Sequence, residues 1–214
     1  MKIIVKLIIL GLSILSVSVN AELTRVACVG DSITAGSRIE NPRENSYPAQ
    51  LQKHLGDTYA VRNFGVSGST LLKKGDKPYW EQKKYKAALG FNPEIVVIKL
   101  GTNDSKSKNW IHEADYVGDY IELIKRFQNL ESKPTVLICY SAPAYSSAHG
   151  ISGNVIENEI KPKVVEIAQN AGVEIVDLFT ALSGSPDLFP DGIHPNVEGA
   201  GIIAETVAKQ ILDN

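Results

Sequence analysis

The chain has 214 residues and a formal net charge of −2; 43% of its residues are hydrophobic and 21% are charged. This size suits one α/β domain with a full core behind a short leader. The net charge is weakly negative and the sequence contains no stripe of basic residues, so nucleic acid is excluded as the partner.

The first 21 residues have the pattern of an export signal. Lys2 and Lys6 give a positive start, residues 7–19 are largely apolar, and Val19-Asn20-Ala21 places small residues where a signal peptidase cleaves. The apolar run is shorter than the ~20 residues of a membrane-spanning helix. We therefore predict a secretory signal peptide over residues 1–21, a mature domain over residues 22–214, and a secreted or periplasmic protein without stable membrane insertion. A membrane anchor and a buried strand are the alternatives.

Extended and helical patterns alternate along the rest of the chain. Apolar runs rich in β-branched residues predict strands, and amphipathic segments between them predict helices. The predicted strands cover residues 25–29, 59–64, 94–100, 135–140 and 173–178, and the predicted helices cover residues 47–55, 80–89, 116–130, 154–171 and 197–212. The second strand is the most polar, which favours a place near the sheet edge, and Pro162 either kinks the fourth helix or marks its start.

This alternation predicts a three-layer α/β/α sandwich with a parallel sheet and right-handed crossovers. Nearly continuous hydrophobicity in the strands is typical of parallel strands that are covered on both faces. The two cysteines, Cys28 and Cys139, both fall inside such strands. We interpret them as small buried apolar residues rather than as a disulfide.

Four short blocks carry the residues with catalytic chemistry. Three of them follow predicted strands, and the fourth precedes the last helix. They are Gly30-Asp31-Ser32-Ile33-Thr34, Asn63-Phe64-Gly65-Val66-Ser67-Gly68, Gly101-Thr102-Asn103-Asp104 and Asp191-Gly192-Ile193-His194-Pro195-Asn196. Ligands of open α/β sheets bind beyond the carboxyl ends of the strands, so we expect these blocks to meet at one edge.

The first and last blocks predict a nucleophile and its base. A serine hydroxyl such as that of Ser32 attacks well only when a neighbouring base accepts its proton. His194 is the one histidine with a carboxylate three positions before it and a proline after it. Pro195 disfavours helix at His194, so Asp191 can reach and orient the imidazole. The alternative for Ser32 is a helix cap. The other histidines, His54, His112 and His149, are assigned to solvent or packing, with substrate contact as the alternative for His149.

The middle blocks predict an oxyanion hole. Gly68 permits a backbone conformation that presents its N–H, Asn103 offers a neutral side-chain donor, and the Ser32 N–H completes three donors. The alternative for Asn103 is a turn-forming role. Asp31 and Asp104 also lie in the blocks, but two carboxylates without a histidine partner do not favour a metal site.

In order and spacing, the four blocks resemble those of the SGNH hydrolases, the GDSL esterase and lipase family, with Ile33 in place of the leucine in the family name. The resemblance covers the chain from about residue 25 to the end. It implies a five-stranded, flavodoxin-like sheet, a catalytic triad of Ser32, Asp191 and His194, and an oxyanion hole of Ser32, Gly68 and Asn103. It further implies an acyl-enzyme mechanism with neither metal nor cofactor.

The substrate prediction rests on aromatic residues. Residues 72–80 and the region of Trp110 resemble those of carbohydrate acetylesterases in the family, and sugars stack on exposed aromatic faces. We therefore expect Tyr79, Trp80 and Trp110 to line the site, with a carbohydrate or small-molecule ester as substrate. The charged stretch of residues 71–85 can instead be a solvated face. A lysophospholipase or thioesterase is the first alternative, although no long apolar lid is present in the sequence. A non-catalytic sugar-binding module is the second.

Overall fold

The computed structural model describes residues 22–213, so the predicted signal peptide lies outside the described residues. Five strands form one sheet in which every neighbouring pair is parallel, and the spatial order is β2-β1-β3-β4-β5. The strands are β1 (Thr24–Gly30), β2 (Tyr59–Gly65), β3 (Ile95–Lys99), β4 (Thr135–Cys139) and β5 (Glu174–Val176). The predicted α/β sandwich with a flavodoxin-like sheet is confirmed, and the more polar β2 lies at an edge.

Helices connect these strands and cover both faces of the sheet. They are α1 (Ser32–Ala35), α2 (Pro42–Asn45), α3 (Tyr47–Leu55), α4 (Lys83–Gly90), α5 (Ser107–Trp110), α6 (Tyr116–Gln128), α7 (Gly153–Val155), α8 (Lys161–Ala171), α9 (Leu178–Leu182) and α10 (Val197–Leu212). Within residues 22–213, no helix combines the length and the apolar character needed to cross a membrane.

Alternating strand residues build two cores. Ala27 and Val29 of β1 point into the core under α4, α6 and α8. Val26 and Cys28 point to the opposite face, into the core under α3, α9 and α10. This two-sided burial explains why the strands are apolar at nearly every position.

The structure decides between the two alternatives for Pro162. Pro162 lies in the first turn of α8, directly after a π-helical segment, Ile156–Ile160, that joins α7 to α8. Proline has no N–H, so it fits a first turn and disturbs the regular ladder before it.

Cys28 and Cys139 are both buried and free, and burial raises the pKa of the Cys139 thiol to about 12. They therefore serve as packing residues, as predicted.

A buried ion pair joins the first and third strands just below the carboxyl edge of the sheet. Gly30 of β1 is paired in register with Lys99 of β3. The Lys99 ammonium lies 3.1 Å from Asp31 Oδ2 and donates to Thr102 Oγ1 at 2.7 Å, and the lysine and aspartate side chains are both fully buried. Asp31 Oδ1 also accepts the N–H of Ile33 at 3.0 Å, which caps α1. The pair thus ties the turn before Ser32 to the loop before Asn103.

We predict that Lys99→Met lowers the free energy of unfolding by about 3–5 kcal/mol, because it leaves the buried Asp31 carboxylate without its partner. Lys108→Met is the matched control. Lys108 is exposed, its ion pair with Asp76 lies at the surface, and such pairs contribute about 0–1 kcal/mol. Urea unfolding of both variants measures the difference. Equal losses would contradict a structural role for the buried pair.

Candidate active site

The Ser32 hydroxyl is presented by a tight turn between β1 and α1. A Cβ on Gly30 would lie 2.1 Å from Thr34 Oγ1 and 2.5 Å from the Lys99 carbonyl oxygen, so a side chain cannot fit there. Ser32 is the first residue of the four-residue helix α1, which ends at Gly36 with φ of 79°. The glycines on either side therefore allow the chain to leave the strand, place Ser32 at the sheet edge and turn away.

Ser32, His194 and Asp191 form a continuous hydrogen-bonded series. His194 Nε2 lies 2.9 Å from Ser32 Oγ, and His194 Nδ1 lies 2.8 Å from Asp191 Oδ2. The other carboxylate oxygen, Asp191 Oδ1, accepts the backbone N–H groups of Ile193 at 3.0 Å and His194 at 2.7 Å. The carboxylate is therefore fixed through both oxygens and orients the imidazole toward Ser32.

The hydrogen bonds of Asp191 also fix its charge. Partial burial raises the pKa of its carboxyl, but hydrogen bonds from the backbone and ring of His194 and from the Ile193 N–H outweigh burial and lower the pKa to about 2. The group is consequently an anion at every pH at which a histidine titrates. This geometry can accept a proton from Ser32 and stabilise the resulting imidazolium.

Gly68 and Asn103 lie on the same pocket as Ser32, in a space of about 350 Å³. Gly68 has φ of 82°, a conformation that side chains rarely adopt, while a Cβ there would have room, 3.6 Å from Lys77 Cδ. The Asn103 amide nitrogen donates to the Ser69 carbonyl oxygen at 3.1 Å. An amide has two N–H hydrogens, so this bond orients the group and leaves one hydrogen for a ligand.

The sequence pattern of the GDSL-like lipase/acylhydrolase family matches residues 28–202, a span that includes all of these groups. The chain belongs to this family. An acetylxylan esterase of Xylanibacter ruminicola is 41% identical over 205 residues, which cover 87% of this chain and 43% of that protein. The chain thus spans less than half the length of this relative. The family predicted from the four blocks, one of carboxylic ester hydrolases, is confirmed.

Solved structures of this GDSL-like fold superpose on most of the chain. A carbohydrate acetylesterase from Sinorhizobium meliloti, Est24, gives a TM-score of 0.73 at 20% identity, over 88% of this chain and 98% of that chain. The aryl esterase of M. smegmatis gives a TM-score of 0.71 at 20% identity, over 89% of this chain and 99% of that chain. These two likenesses show the fold.

Two residues that the four blocks do not contain lie beside Ser32, His194 and Asp191. Arg38 Nε lies 3.1 Å from Asp191 Oδ2, and Arg38 Nη2 lies 3.4 Å from His149 Nε2. The His149 ring stands edge-on to the His194 ring, with centroids 6.0 Å apart. Sequence analysis assigned His149 to solvent or packing, with substrate contact as the alternative, and its place on the pocket wall agrees with that alternative. Arg38 was missed, because no sequence signal shows that its loop returns to Asp191.

The backbone at these two positions is unusual. Arg38 has φ of 66° and His149 has φ of 58°. Non-glycine residues adopt such values infrequently, and functional sites often hold them.

The atoms of His149, Asp191 and His194 that could ligate a metal lie within 4.8 Å of one another. The Arg38 guanidinium beside the same carboxylate opposes a further positive charge there.

The structure contradicts the prediction for Tyr79, and it does not place the half-buried Trp80 on the pocket that contains Ser32. Tyr79 is completely buried, and its hydroxyl donates to the Phe64 carbonyl oxygen at 2.8 Å, so its ring cannot stack on a sugar. The Trp80 N–H donates to the Leu71 carbonyl oxygen at 2.8 Å, and the Lys73 ammonium lies 4.5 Å from its ring centroid. Both rings therefore belong to a segment that folds back onto the core.

Trp110 lies beside the catalytic pocket. Its ring is 8% exposed, its N–H donates to Glu159 at 2.6 Å, and it borders a cavity of about 810 Å³ that adjoins the Ser32 pocket through Ile151.

The alternative of metal-binding aspartates finds no support in the contacts of Asp31 or Asp104. Asp104 is buried and accepts the backbone N–H groups of Leu71 and Leu72 at 3.0 and 2.8 Å, so it anchors the loop that follows Gly68.

We predict that Asp191→Asn lowers kcat for ester hydrolysis by about 10⁴-fold, because an amide no longer enforces the reactive tautomer of His194. Asp187→Asn, on an exposed turn of the same loop, should retain full activity. The pH dependence of kcat/KM gives a second readout. Since the pKa of Asp191 is about 2, the acid limb in the wild type should reflect one proton, and a limb of two protons would contradict this assignment.

Proposed function

We propose that the chain is a serine ester hydrolase in which Ser32 is the nucleophile, His194 the general base and Asp191 the residue that orients it. The observation that carries the proposal is the 2.9 Å contact between His194 Nε2 and Ser32 Oγ, with the imidazole held by Asp191 at 2.8 Å. A hydroxyl with a base at hydrogen-bonding distance, and a third group orienting that base, is the arrangement that nucleophilic catalysis requires.

The reaction proceeds in two halves. Ser32 Oγ attacks the ester carbonyl carbon while His194 Nε2 takes its proton, and the tetrahedral oxyanion is bound by the N–H groups of Ser32, Gly68 and Asn103. His194 then returns the proton to the departing alcohol, which leaves an acyl group on Ser32. Water, activated by the same imidazole, attacks the acyl carbonyl and releases the acid and the free serine. No step requires a metal or cofactor.

We propose an acetylated carbohydrate as the substrate, met outside the cytoplasm after removal of residues 1–21. The acetylxylan esterase relative supports a sugar ester, since it is 41% identical over most of this chain. The pocket supports a short acyl group. Its aliphatic side chains are Ile151 and Ile193, whereas Ser32, Ser37, Ser67 and Thr102 contribute hydroxyl groups. A long acyl chain would need a larger apolar surface than the pocket that contains Ser32 offers and would have to extend into the adjoining cavity bordered by Trp110. A short acyl group fits beside Ser32 without that extension, which favours it over the substrate of a lysophospholipase or thioesterase.

We predict that Ser32→Ala abolishes ester hydrolysis while leaving the melting temperature unchanged, because only the nucleophilic oxygen is lost. Ser37→Ala is the matched control. Ser37 borders the same pocket, but its hydroxyl bonds to Ser67 Oγ at 2.6 Å and has no base beside it. An organophosphonate should add to the peptide that contains Ser32. Substantial hydrolysis by Ser32→Ala would show that another residue attacks, and no turnover by the wild type would favour the non-catalytic binding module.

The acyl group has its own test. On 4-nitrophenyl esters of increasing acyl length, kcat/KM should be highest for acetate and fall by at least about tenfold by octanoate, since only Ile151 and Ile193 in the pocket that contains Ser32 offer aliphatic contact to added methylenes. Activity that increases toward the longer chains would support the lysophospholipase or thioesterase instead.

A further inference from the structure

The catalytic pocket carries positive charge that hydrolysis of a neutral ester does not need. Of the described residues that line it, the charged or ionisable ones are Arg38, Lys106, His149 and His194. One carboxylate, that of Asp191, lies behind them, 3.1 Å from Arg38 Nε and 2.8 Å from His194 Nδ1. The chain as a whole has a net charge of −2. Positive groups are therefore concentrated at this opening on a weakly acidic protein, and clefts lined by one sign of charge attract ligands of the opposite sign.

Arg38 retains hydrogen-bond donors toward the pocket. Its Nε is engaged by Asp191 at 3.1 Å, but its side chain is 58% exposed. A guanidinium has five N–H donors in a planar fork, and only Nε has a carboxylate partner among residues 22–213. Arg38 Nη2 also lies 3.4 Å from His149 Nε2, which leaves the Nη1 hydrogens and the second Nη2 hydrogen as donors for the oxygens of an incoming carboxylate.

Two lysines beside the pocket lack the ion pairs that their neighbours have. Lys106 lines the pocket, and within residues 22–213 its ammonium has no hydrogen bond and no carboxylate within 4 Å, although its charge helps to lower the pKa of Asp76. The Lys77 ammonium donates to the carbonyl oxygen of Ser67, another lining residue, at 2.9 Å. By contrast, three lysines nearby that do not line the pocket form ion pairs with carboxylates. These pairs are Lys73–Glu122, Lys74–Asp115 and Lys108–Asp76.

We infer that the preferred substrate is an acetylated saccharide that carries a carboxylate near the ester, a uronic acid unit in chemical terms, bound by Arg38, Lys106 and Lys77. This inference rests on the proposed esterase function and adds the charge of the sugar. The oxyanion formed during catalysis is bound by neutral N–H groups, so the additional cations are available to a permanent anion of the substrate. Such complementarity raises the association rate and favours charged over neutral substrates.

The test compares two oligosaccharides that differ only in charge. One is an acetylated xylo-oligosaccharide with a uronic acid branch, and the other is the same compound with its carboxylate reduced to the primary alcohol. At low salt, the wild type should show a kcat/KM about three- to tenfold higher for the acidic compound. The ratio should approach one in 1 M salt, where the screening length is about 3 Å.

Variants locate the effect. Lys106→Gln and Lys77→Gln should each reduce the acidic-to-neutral ratio, and the double variant should bring it close to one. Lys108→Gln is the matched control, because Lys108 lies two residues from Lys106 and is paired with Asp76 at 2.7 Å, and it should keep the wild-type ratio. If Lys106→Gln does not fold, Lys77→Gln alone decides the point, since Lys77 is exposed.

A ratio of one in the wild type would overturn the inference, as would a high ratio that neither lysine variant reduces. Hydrolysis of 4-nitrophenyl acetate, measured in parallel, separates this failure from that of the proposed function. Ser32-dependent turnover of that ester without a charge preference would leave the esterase in place and remove only the acidic sugar.

Discussion

The buried pair of Lys99 and Asp31 is the constraint on which the sheet edge with the proposed catalytic residues depends. It brings one charge from β3 and one from the turn after β1 into a fully buried position, where each is tolerable only with the other. Asp31 caps the helix that begins at Ser32, and Lys99 holds Thr102, next to Asn103. The loops with the proposed nucleophile and oxyanion donor therefore cannot separate without exposing a buried charge.

Charged groups in the core below the carboxyl edge of the sheet are closely paired, whereas the lysines at the pocket opening above that edge are not. Below it, the Lys99 ammonium is paired with the Asp31 carboxylate, and Asp104, whose pKa burial raises to about 7, accepts two backbone N–H groups. At the level of the triad, Asp191 is an anion shared by His194 and Arg38. At the opening, Lys106 and Lys77 have no carboxylate within 4 Å among residues 22–213, and the charge of Lys106 acts on Asp76 from a greater distance. The paired charges in the core suit the proposed role of holding the catalytic groups in place. The lysines at the pocket opening suit the inferred preference for an acidic substrate.

Local patterns predicted most of the fold and the residues that meet at its edge. The helices over 47–55 and 197–212 begin and end at the predicted residues, because apolar periodicity and end signals agree there. The Lys99 pairing was not predictable, since a lysine at the end of an apolar strand becomes buried only if a carboxylate lies opposite. Tyr79 was assigned wrongly because its surface-like, charged segment folds over the core. Arg38 depends on a left-handed backbone that its sequence does not reveal.

The central claim is that an acyl group passes through Ser32, and trapping that intermediate tests it most directly. The purified protein is mixed with 4-nitrophenyl acetate, quenched in acid within the first turnover, digested and mapped by mass spectrometry. The account predicts one acetyl group, on the peptide that contains Ser32, which disappears when the quench is delayed beyond substrate exhaustion. Acetylation confined to another residue, or turnover without any acetylated peptide, would contradict it.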